Sequence, residues 1–434
     1  MEDLPKRNNL TKIEKVALAL AIASAALAFL FAFLPFTIRF IGQLTYLPAV
    51  ILGIRSWRRT KFFGKSAPVL ACAVLVLIGI AWAPSSERGR AMLVAVHLLA
   101  VLPIAALIVE KRCLRFCATT FVTASTITVL VSSKIMFSTL GLYTLQKFGT
   151  FIDDSGASLT NPNEMGASFG LALLFSIAIA LGYFRESKSE KKPLDIKLIY
   201  YLITSIILTL ATVLTGSRGA FVATFFSVLV LLMSKSNGLS KAKVIIVTFI
   251  VIAAPMIVIS MITGISPIDR ISDRFSNDSV GDIGGRVPIW ERTFDVVANK
   301  SFYIIYGTGT AGSDKLVGSV VSGARKGKDG IYRRSTHSSY VEWFAYFGIL
   351  GIFPAILLLF NVVRNAIKLD RISNSTDRVA ILAFFLVFSC NGVVFRSPYW
   401  PMLGSMILAL VSHSSLAGNS SPIFYTSSAK KERA

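Results

Sequence analysis

Two arginines stand where the sequence predicts the start of a helix. Arg218 follows the turn Thr215-Gly216-Ser217 and opens a long apolar run. Arg286 follows two glycines and comes two residues before Pro288, which suits the first turn of a helix. A helix N-terminus offers free backbone N–H groups to an anion, and a guanidinium group adds paired hydrogen bonds to phosphate oxygens. Arg218 and Arg286 are therefore candidates for an anion site; the alternative is that they are structural residues extending to the membrane surface.

His337 is the only one of the three histidines that lies outside an apolar segment. Ser339 and Glu342 have the spacing of a capping box, so we expect His337 just before a helix N-terminus. The helix dipole favours the neutral imidazole there, and a neutral imidazole can act as a base. The alternative is an ordinary histidine of a surface loop. His97 and His413 lie within apolar runs, and we expect them to be hydrogen-bonded inside the protein.

The sequence contains no pattern typical of a metal or cofactor site. The glycine-rich stretch Gly307–Gly312 lacks the lysine of a phosphate-binding loop. Neither a His-Glu-x-x-His motif nor a cysteine pair with metal-ligand spacing is present. Four cysteines, none in a long polar loop, do not suggest a disulfide framework. We therefore expect neither a metal ion nor a cofactor.

The elements that must position these residues are long apolar segments. Of the 434 residues, 54% are hydrophobic and only 16% are charged, against about 25% charged in soluble domains. This composition excludes a disordered chain, a fibrous chain and an ordinary soluble enzyme. The pattern predicts an all-α polytopic transmembrane bundle of about 12 spans. The predicted spans are 16–36, 37–54, 67–83, 90–109, 116–136, 164–184, 196–214, 218–233, 243–263, 338–360, 379–394 and 399–417.

The distribution of basic residues predicts the orientation in the membrane. The net charge is +22, and the basic residues cluster between the apolar runs, which indicates membrane topology and no nucleic-acid partner. Alternate connections and both tails hold 27 Lys and Arg. The opposite side holds 7, once the long 264–336 loop is set aside as the rule requires. Both termini are therefore expected in the cytoplasm.

This topology predicts four regions. Residues 1–263 would hold spans 1–9, 264–336 a long, partly helical periplasmic loop, 337–418 spans 10–12, and 419–434 a cytoplasmic tail. Within the loop, Trp290, Phe294 and Val297 form a helical stripe after Pro288. We expect an amphipathic helix over 289–298 that rests on the membrane or on the bundle.

Several stretches on the predicted outer side together resemble the O-antigen ligase/polymerase family of bacterial membrane glycosyltransferases. The resemblance covers roughly residues 160–360, and one departure is Ser338, where many members place Asn after the histidine. The stretches are Thr215-Gly216-Ser217-Arg218-Gly219-Ala220, Gly285-Arg286-Val287-Pro288-Ile289-Trp290 with Tyr306-Gly307-Thr308-Gly309, His337-Ser338-Ser339-Tyr340 through Glu342 to Gly351, and, more weakly, Asn161-Pro162-Asn163-Glu164.

The resemblance implies a transferase of the bacterial inner membrane whose active site faces the periplasm. The donor would be a glycan on undecaprenyl diphosphate. The acceptor would be a sugar hydroxyl, on lipid A-core for a ligase of lipopolysaccharide biosynthesis or on a second lipid-linked glycan for a polymerase. The motifs resemble those of ligases slightly more, and an exopolysaccharide polymerase is the close alternative.

The implied mechanism is metal-independent and inverting. Arg218 and Arg286 would bind the diphosphate, and His337 would deprotonate the acceptor hydroxyl. Further substrate contacts are expected from Asn163 and from three loop arginines, which are Arg270, Arg274 and Arg292.

A transporter of lipid-linked sugars is the rival from another class of protein. Transporters built of two six-helix halves show related halves, and ion-coupled transporters need ionisable residues inside the membrane. The two halves of this sequence do not look alike, and charged residues within its apolar segments are few. The sequence therefore favours the enzyme.

Overall fold

A computed structural model describes the parts of the chain that position these residues. They are residues 10–27, 44–59, 67–139, 162–190, 195–215, 217–233, 286–310, 312–319, 325–326, 330, 332–333, 335–373, 376–390 and 400–412. The structure is nearly all helical. Two short antiparallel strands, β1 (Arg325–Lys326) and β2 (Tyr332–Arg333), pair Arg325 with Arg333.

The helices follow one another with short connections wherever the connections are described, and a 3-10 turn at Ser85–Glu87 precedes the fourth helix. In chain order they are α1 (Lys12–Leu27), α2 (Leu47–Arg59), α3 (Ala67–Trp82), α4 (Arg88–Glu110), α5 (Leu114–Thr139), α6 (Pro162–Glu190), α7 (Ile196–Leu214), α8 (Arg218–Met233), α9 (Val287–Ala298), α10 (Ser301–Tyr306), α11 (Gly312–Gly318), α12 (Ser339–Ser373), α13 (Asp377–Ser389) and α14 (Trp400–Ser412).

Five of the described helical segments are long and apolar enough to cross a membrane, so the chain is that of a membrane protein. Three further apolar helices are shorter. The predicted count of about 12 spans is not confirmed, and the predicted ninth span, 243–263, lies outside the described residues. The five segments are Ser85–Glu110, Leu114–Ser132, Asn163–Phe184, Ile196–Leu214 and Ser339–Arg371.

Close helix packing depends on glycines and on hydroxyl groups, as expected where the surrounding solvent is as apolar as the side chains. A Cβ atom on Gly53 of α2 would lie 2.2 Å from the carbonyl oxygen of Pro103 in α4, so the two backbones touch. Ser176 of α6 donates to the carbonyl oxygen of Tyr201 in α7 over 2.9 Å. The Tyr201 hydroxyl in turn lies 2.8 Å from the hydroxyl of Thr119 in α5.

Helix α12 bends at Gly348, whose φ of 57° is non-helical. The bend leaves carbonyl groups of the preceding turn without their usual helical donors. The carbonyl of Ala345 accepts from the backbone N–H of Thr308 at 2.9 Å, and that of Tyr346 accepts from Gly309 at 3.1 Å. The segment 307–310 therefore completes the hydrogen bonding of the bend.

The same segment is bonded to α3 on its other side. The Thr310 backbone N–H donates to the carbonyl of Gly79 at 3.2 Å, and the Thr310 hydroxyl donates to that of Val76 at 3.0 Å. A Cβ atom on Gly309 would lie 2.8 Å from the Gly79 carbonyl oxygen. The glycine-rich stretch that begins at Gly307 thus joins α3 to α12, mainly through backbone hydrogen bonds.

A group of buried charges attaches α11 and β2 to the residues at the start of α4. The Glu87 carboxylate is fully buried and pairs with Arg333 of β2 at 2.7 Å and with Arg90 at 3.3 Å. Arg90 also pairs with the buried Asp314 of α11 at 3.2 Å. Because each buried carboxylate has a cation beside it, the group tolerates burial that would be costly for an isolated charge.

Replacing Gly307 by alanine should destabilise the protein. Gly307 has a φ of 73°, and an added Cβ would lie 2.2 Å from the Tyr346 carbonyl, so backbone strain and overlap add up. We expect a loss of more than about 2 kcal/mol in the free energy of unfolding. Gly89→Ala is the matched control, because a Cβ there meets no atom within 4 Å. Thermal unfolding of the detergent-solubilised variants tests this; equal melting temperatures for the two would contradict it.

Candidate functional site at three helix starts

The turn before α8 places Arg218 in the first turn of that helix. Ser217 is the N-cap residue, since its hydroxyl accepts from the Ala220 backbone N–H at 3.3 Å. Thr215 stabilises the turn by accepting from the Ser217 N–H at 3.3 Å and donating to the Thr212 carbonyl at 2.7 Å. Arg218 is therefore the first helical residue, as the sequence predicted. It is partly exposed, whereas Thr215 and Ser217 before it are buried.

The first turns of α6 pack directly on this turn. A Cβ atom on Gly166 would lie 2.7 Å from the Thr215 hydroxyl and 3.0 Å from the Cβ atoms of Ser217 and Ala220. Asn163 lies one turn before Gly166 on the same face of α6, at the end of the bundle where α8 begins. We call this end of the bundle, where α6 and α8 begin, the site end. Asn163 is partly exposed there.

Arg286 is brought close to Arg218, although 68 residues separate them in the sequence. It is the N-cap residue of α9, with Pro288 in the first turn, and its carbonyl accepts from the Trp290 backbone N–H at 2.9 Å. Burial lowers the pKa of Arg286 below its usual value, and the positive charge of Arg218 lowers it further. Two neighbouring guanidinium groups are chemically suited to an anion with more than one charge.

His337 lies in the tight turn before α12, and α9 is bonded to that turn. The Trp290 indole N–H donates to the Thr336 carbonyl at 2.8 Å. Trp290, one turn after Arg286, therefore links the start of α9 to the turn that contains His337. His337 itself has a φ of 55°, in the left-handed region, and its backbone N–H donates to the Ser335 hydroxyl at 3.3 Å.

Glu342 is the buried acid of the site end. Helix α12 begins at Ser339, as the capping-box spacing suggested, but the Glu342 carboxylate extends further back than that motif requires. It accepts from the Thr336 hydroxyl at 2.9 Å and from the Ser335 hydroxyl at 3.2 Å. The sequence pattern identified Glu342 but not these partners, because the turn that brings them together depends on the left-handed His337.

Of the three loop arginines, only Arg292 lies within the described residues. Arg292 lies on the exposed face of α9, with 63% of its side chain accessible, and pairs with Asp295 at 3.5 Å. Its predicted substrate contact stays a prediction. Arg270 and Arg274 lie outside the described residues.

Helix α9 confirms the helix predicted over 289–298. The predicted stripe is divided: Val297 is buried together with Ile289 and Thr293, whereas Phe294 is about half exposed. The Trp290 indole is directed to the Thr336 carbonyl.

An apolar cavity of about 180 Å³ opens beside the turn of His337. Hydrophobic side chains of α3, α4, α12, α13 and α14 line it, and the two residues next to the site are Ser339 and Tyr340. The Tyr340 hydroxyl donates to the Leu386 carbonyl at 3.0 Å, so even this end offers few free polar groups. The cavity suits a hydrocarbon chain and does not suit a sugar.

The remaining histidine and metal predictions can be compared with the described part of the chain. His97 is buried in α4 and its ring contacts that of Tyr46, but neither ring nitrogen has a hydrogen-bond partner among the described residues, contrary to expectation. His413 lies outside those residues. Within the same limits, no group of three or more His, Cys, Asp or Glu residues is arranged to hold a metal ion.

The fold and the site together define a helical membrane protein with a cationic site beside a histidine at one end of its bundle. The family model described as O-antigen ligase matches residues 203–356, which confirms the resemblance to that family. The match includes Arg218, Arg286, His337 and Glu342, whereas Asn163 precedes it. No curated protein matches the chain. The family supports a membrane glycosyltransferase-like enzyme of the O-antigen ligase or polymerase type, with lipid-linked glycan and acceptor substrates in general.

Inorganic pyrophosphate should stabilise the protein against thermal unfolding, because an anion between Arg218 and Arg286 relieves their repulsion and binds only the folded state. The rise in melting temperature should be lost in Arg218→Gln and Arg286→Gln. Arg292→Gln is the control and should keep it, since Arg292 pairs with Asp295 on an exposed face. An equal rise in all four proteins would show that pyrophosphate binds elsewhere.

Proposed function

We propose that the protein transfers a glycan from undecaprenyl diphosphate to a sugar hydroxyl of lipid A-core, at the periplasmic face of the bacterial inner membrane. The observation that carries this proposal is that two arginines, Arg218 and Arg286, act on each other electrostatically, and that the helix of Arg286 is bonded to the turn of His337. A diphosphate needs several positive charges, and an acceptor hydroxyl needs a base. Both requirements are met at one end of a membrane bundle.

The reaction would be a single displacement at the anomeric carbon of the donor sugar. The acceptor oxygen forms the new bond to that carbon while the bond to the diphosphate oxygen breaks, so the configuration inverts. His337 takes the proton of the acceptor hydroxyl, and undecaprenyl diphosphate leaves with its bonding electrons. Arg218 and Arg286 stabilise the negative charge that develops on the leaving group, and no metal ion is required for this step.

The apolar cavity supports a lipid-linked donor. It extends from Ser339 and Tyr340, just after His337, towards Val69 near the start of α3 and Val362 of α12. A polyprenyl chain in this cavity would hold the attached diphosphate near the arginines. Its burial of apolar surface would add binding free energy of about 25 cal/mol per Å².

A reconstituted transfer assay distinguishes the acceptors. Purified protein is given the lipid-linked glycan together with lipid A-core in one reaction and without it in another, each with and without EDTA. We expect glycan on lipid A-core, unaffected by EDTA. Chains that lengthen on the undecaprenyl carrier would instead identify a polymerase with the same donor. Inhibition by EDTA would contradict the metal-free step, and an absence of any transfer would favour a transporter.

The variant His337→Ala tests the base in the same assay. Loss of the imidazole should leave donor binding nearly unchanged and lower turnover by about 10²–10⁴-fold, the range typical of a general base. The KM for the donor and the pyrophosphate-induced rise in melting temperature should both persist. Turnover equal to that of the wild-type protein at neutral pH would rule out His337 as the base.

A further inference from the structure

We propose that Glu342 is a positioning residue that holds the imidazole of His337 in place for proton transfer. The proposal rests on the proposed function of His337 as the base. Glu342 is fully buried in the first turn of α12, and its carboxylate binds the two residues that precede His337.

The contacts of the Glu342 carboxylate are divided between the turn and the helix. One oxygen, Oε2, accepts from three donors of the turn, which are the Thr336 hydroxyl at 2.9 Å, the Ser335 hydroxyl at 3.2 Å and the Thr336 backbone N–H at 3.4 Å. The other oxygen, Oε1, accepts from the Tyr346 hydroxyl at 2.6 Å. A carboxylate suits this place because it accepts from four donors at once and has nothing to donate.

The turn transmits this anchoring to His337. The Ser335 hydroxyl, which donates to Glu342, accepts from the His337 backbone N–H at 3.3 Å. The Thr336 hydroxyl accepts from the Ser338 N–H at 3.4 Å, on the other side of His337. Ser335 and Thr336, which both donate to the carboxylate, therefore also hold the backbone N–H groups of His337 and of the residue after it.

His337 needs this support because its backbone is strained. A φ of 55° is unfavourable for a residue with a Cβ atom and persists only where the surroundings enforce it. Without the carboxylate the turn can relax towards an ordinary conformation, and the imidazole then moves with its Cα atom. A displacement of about 1 Å in a catalytic group can lower the rate about 10²-fold.

The contact of Glu342 with Tyr346, within α12, is held in place by further bonds. Tyr346 is fully buried, and its carbonyl accepts from Gly309 at the bend of α12. The position of the Glu342 carboxylate is thus fixed by the same contacts that join α3 to α12. Arg218 is placed separately by the N-cap of α8, so a change at Glu342 should leave Arg218 in place.

The test compares Glu342→Leu with Glu342→Gln in the transfer assay. Leucine removes every acceptor, and we expect kcat to fall about 10–100-fold with little change in the KM for the donor. Glutamine can direct its carbonyl oxygen at the turn and its amide N–H at the Tyr346 hydroxyl, so kcat should stay within about fivefold of wild type. Ser335→Ala removes the hydroxyl that joins Glu342 to the His337 backbone N–H, and it should lower kcat without disturbing the core of α12.

A double-mutant cycle separates positioning from stability. If Glu342 acts through His337, then Glu342→Leu should cost nothing further in a His337→Ala background. Asp370→Asn is the matched control, because Asp370 is a buried, ion-paired carboxylate near the other end of α12. It should lower the melting temperature but leave transfer per folded protein unchanged.

The outcomes separate the two proposals. A loss in Glu342→Leu and in Ser335→Ala, recovery in Glu342→Gln and no extra loss in the double variant would support the positioning role. If His337→Ala is impaired but Glu342→Leu is not, or if their losses multiply, the positioning role is wrong and the base assignment stands. Full activity of His337→Ala would overturn both.

Discussion

The repulsion between two guanidinium groups is the constraint on which the proposed site depends. Arg218 and Arg286 come from helices distant in the sequence. The burial of Arg286 and the nearby charge of Arg218 both oppose its protonated form. The protein maintains this unfavourable pair by fixing the backbone on both sides, with an N-cap serine before α8 and with the first turn of α9. In the proposed site, an anion of high charge relieves the repulsion between these arginines when it binds.

The rest of the site end provides rigidity for that arrangement. The segment 307–310 supplies hydrogen-bond donors to the bend of α12 and is itself bonded to α3, so the helix that begins after His337 cannot shift freely. The buried charges around Glu87 attach the following residues to the start of α4. Trp290 then connects α9 to the turn of His337. His337 and the start of α9 thus belong to one framework, as the proposed displacement requires.

The sequence allowed much of this to be predicted, and the failures have physical reasons. Apolar periodicity and capping residues located the starts of α8, α9 and α12, because these signals are local. The contact of the Trp290 indole with Thr336 could not be predicted, since the two residues are 46 positions apart. The pairing of Arg333 with Glu87 joins residues 246 positions apart and has no local signal. The glycines at 307, 309 and 348 lie in stretches that resemble the family. Their role in joining α3 to α12 could not be predicted, because it depends on the bend at Gly348.

The most direct test of the account is an electron cryo-microscopy structure of the protein in a lipid nanodisc with undecaprenyl diphosphate bound. We predict that the diphosphate lies between the guanidinium groups of Arg218 and Arg286. The side of the diphosphate that would carry the sugar should face the imidazole of His337, and the polyprenyl chain should enter the cavity beside Tyr340. A diphosphate bound away from the two arginines, or on the opposite side of the bundle from His337, would contradict the account.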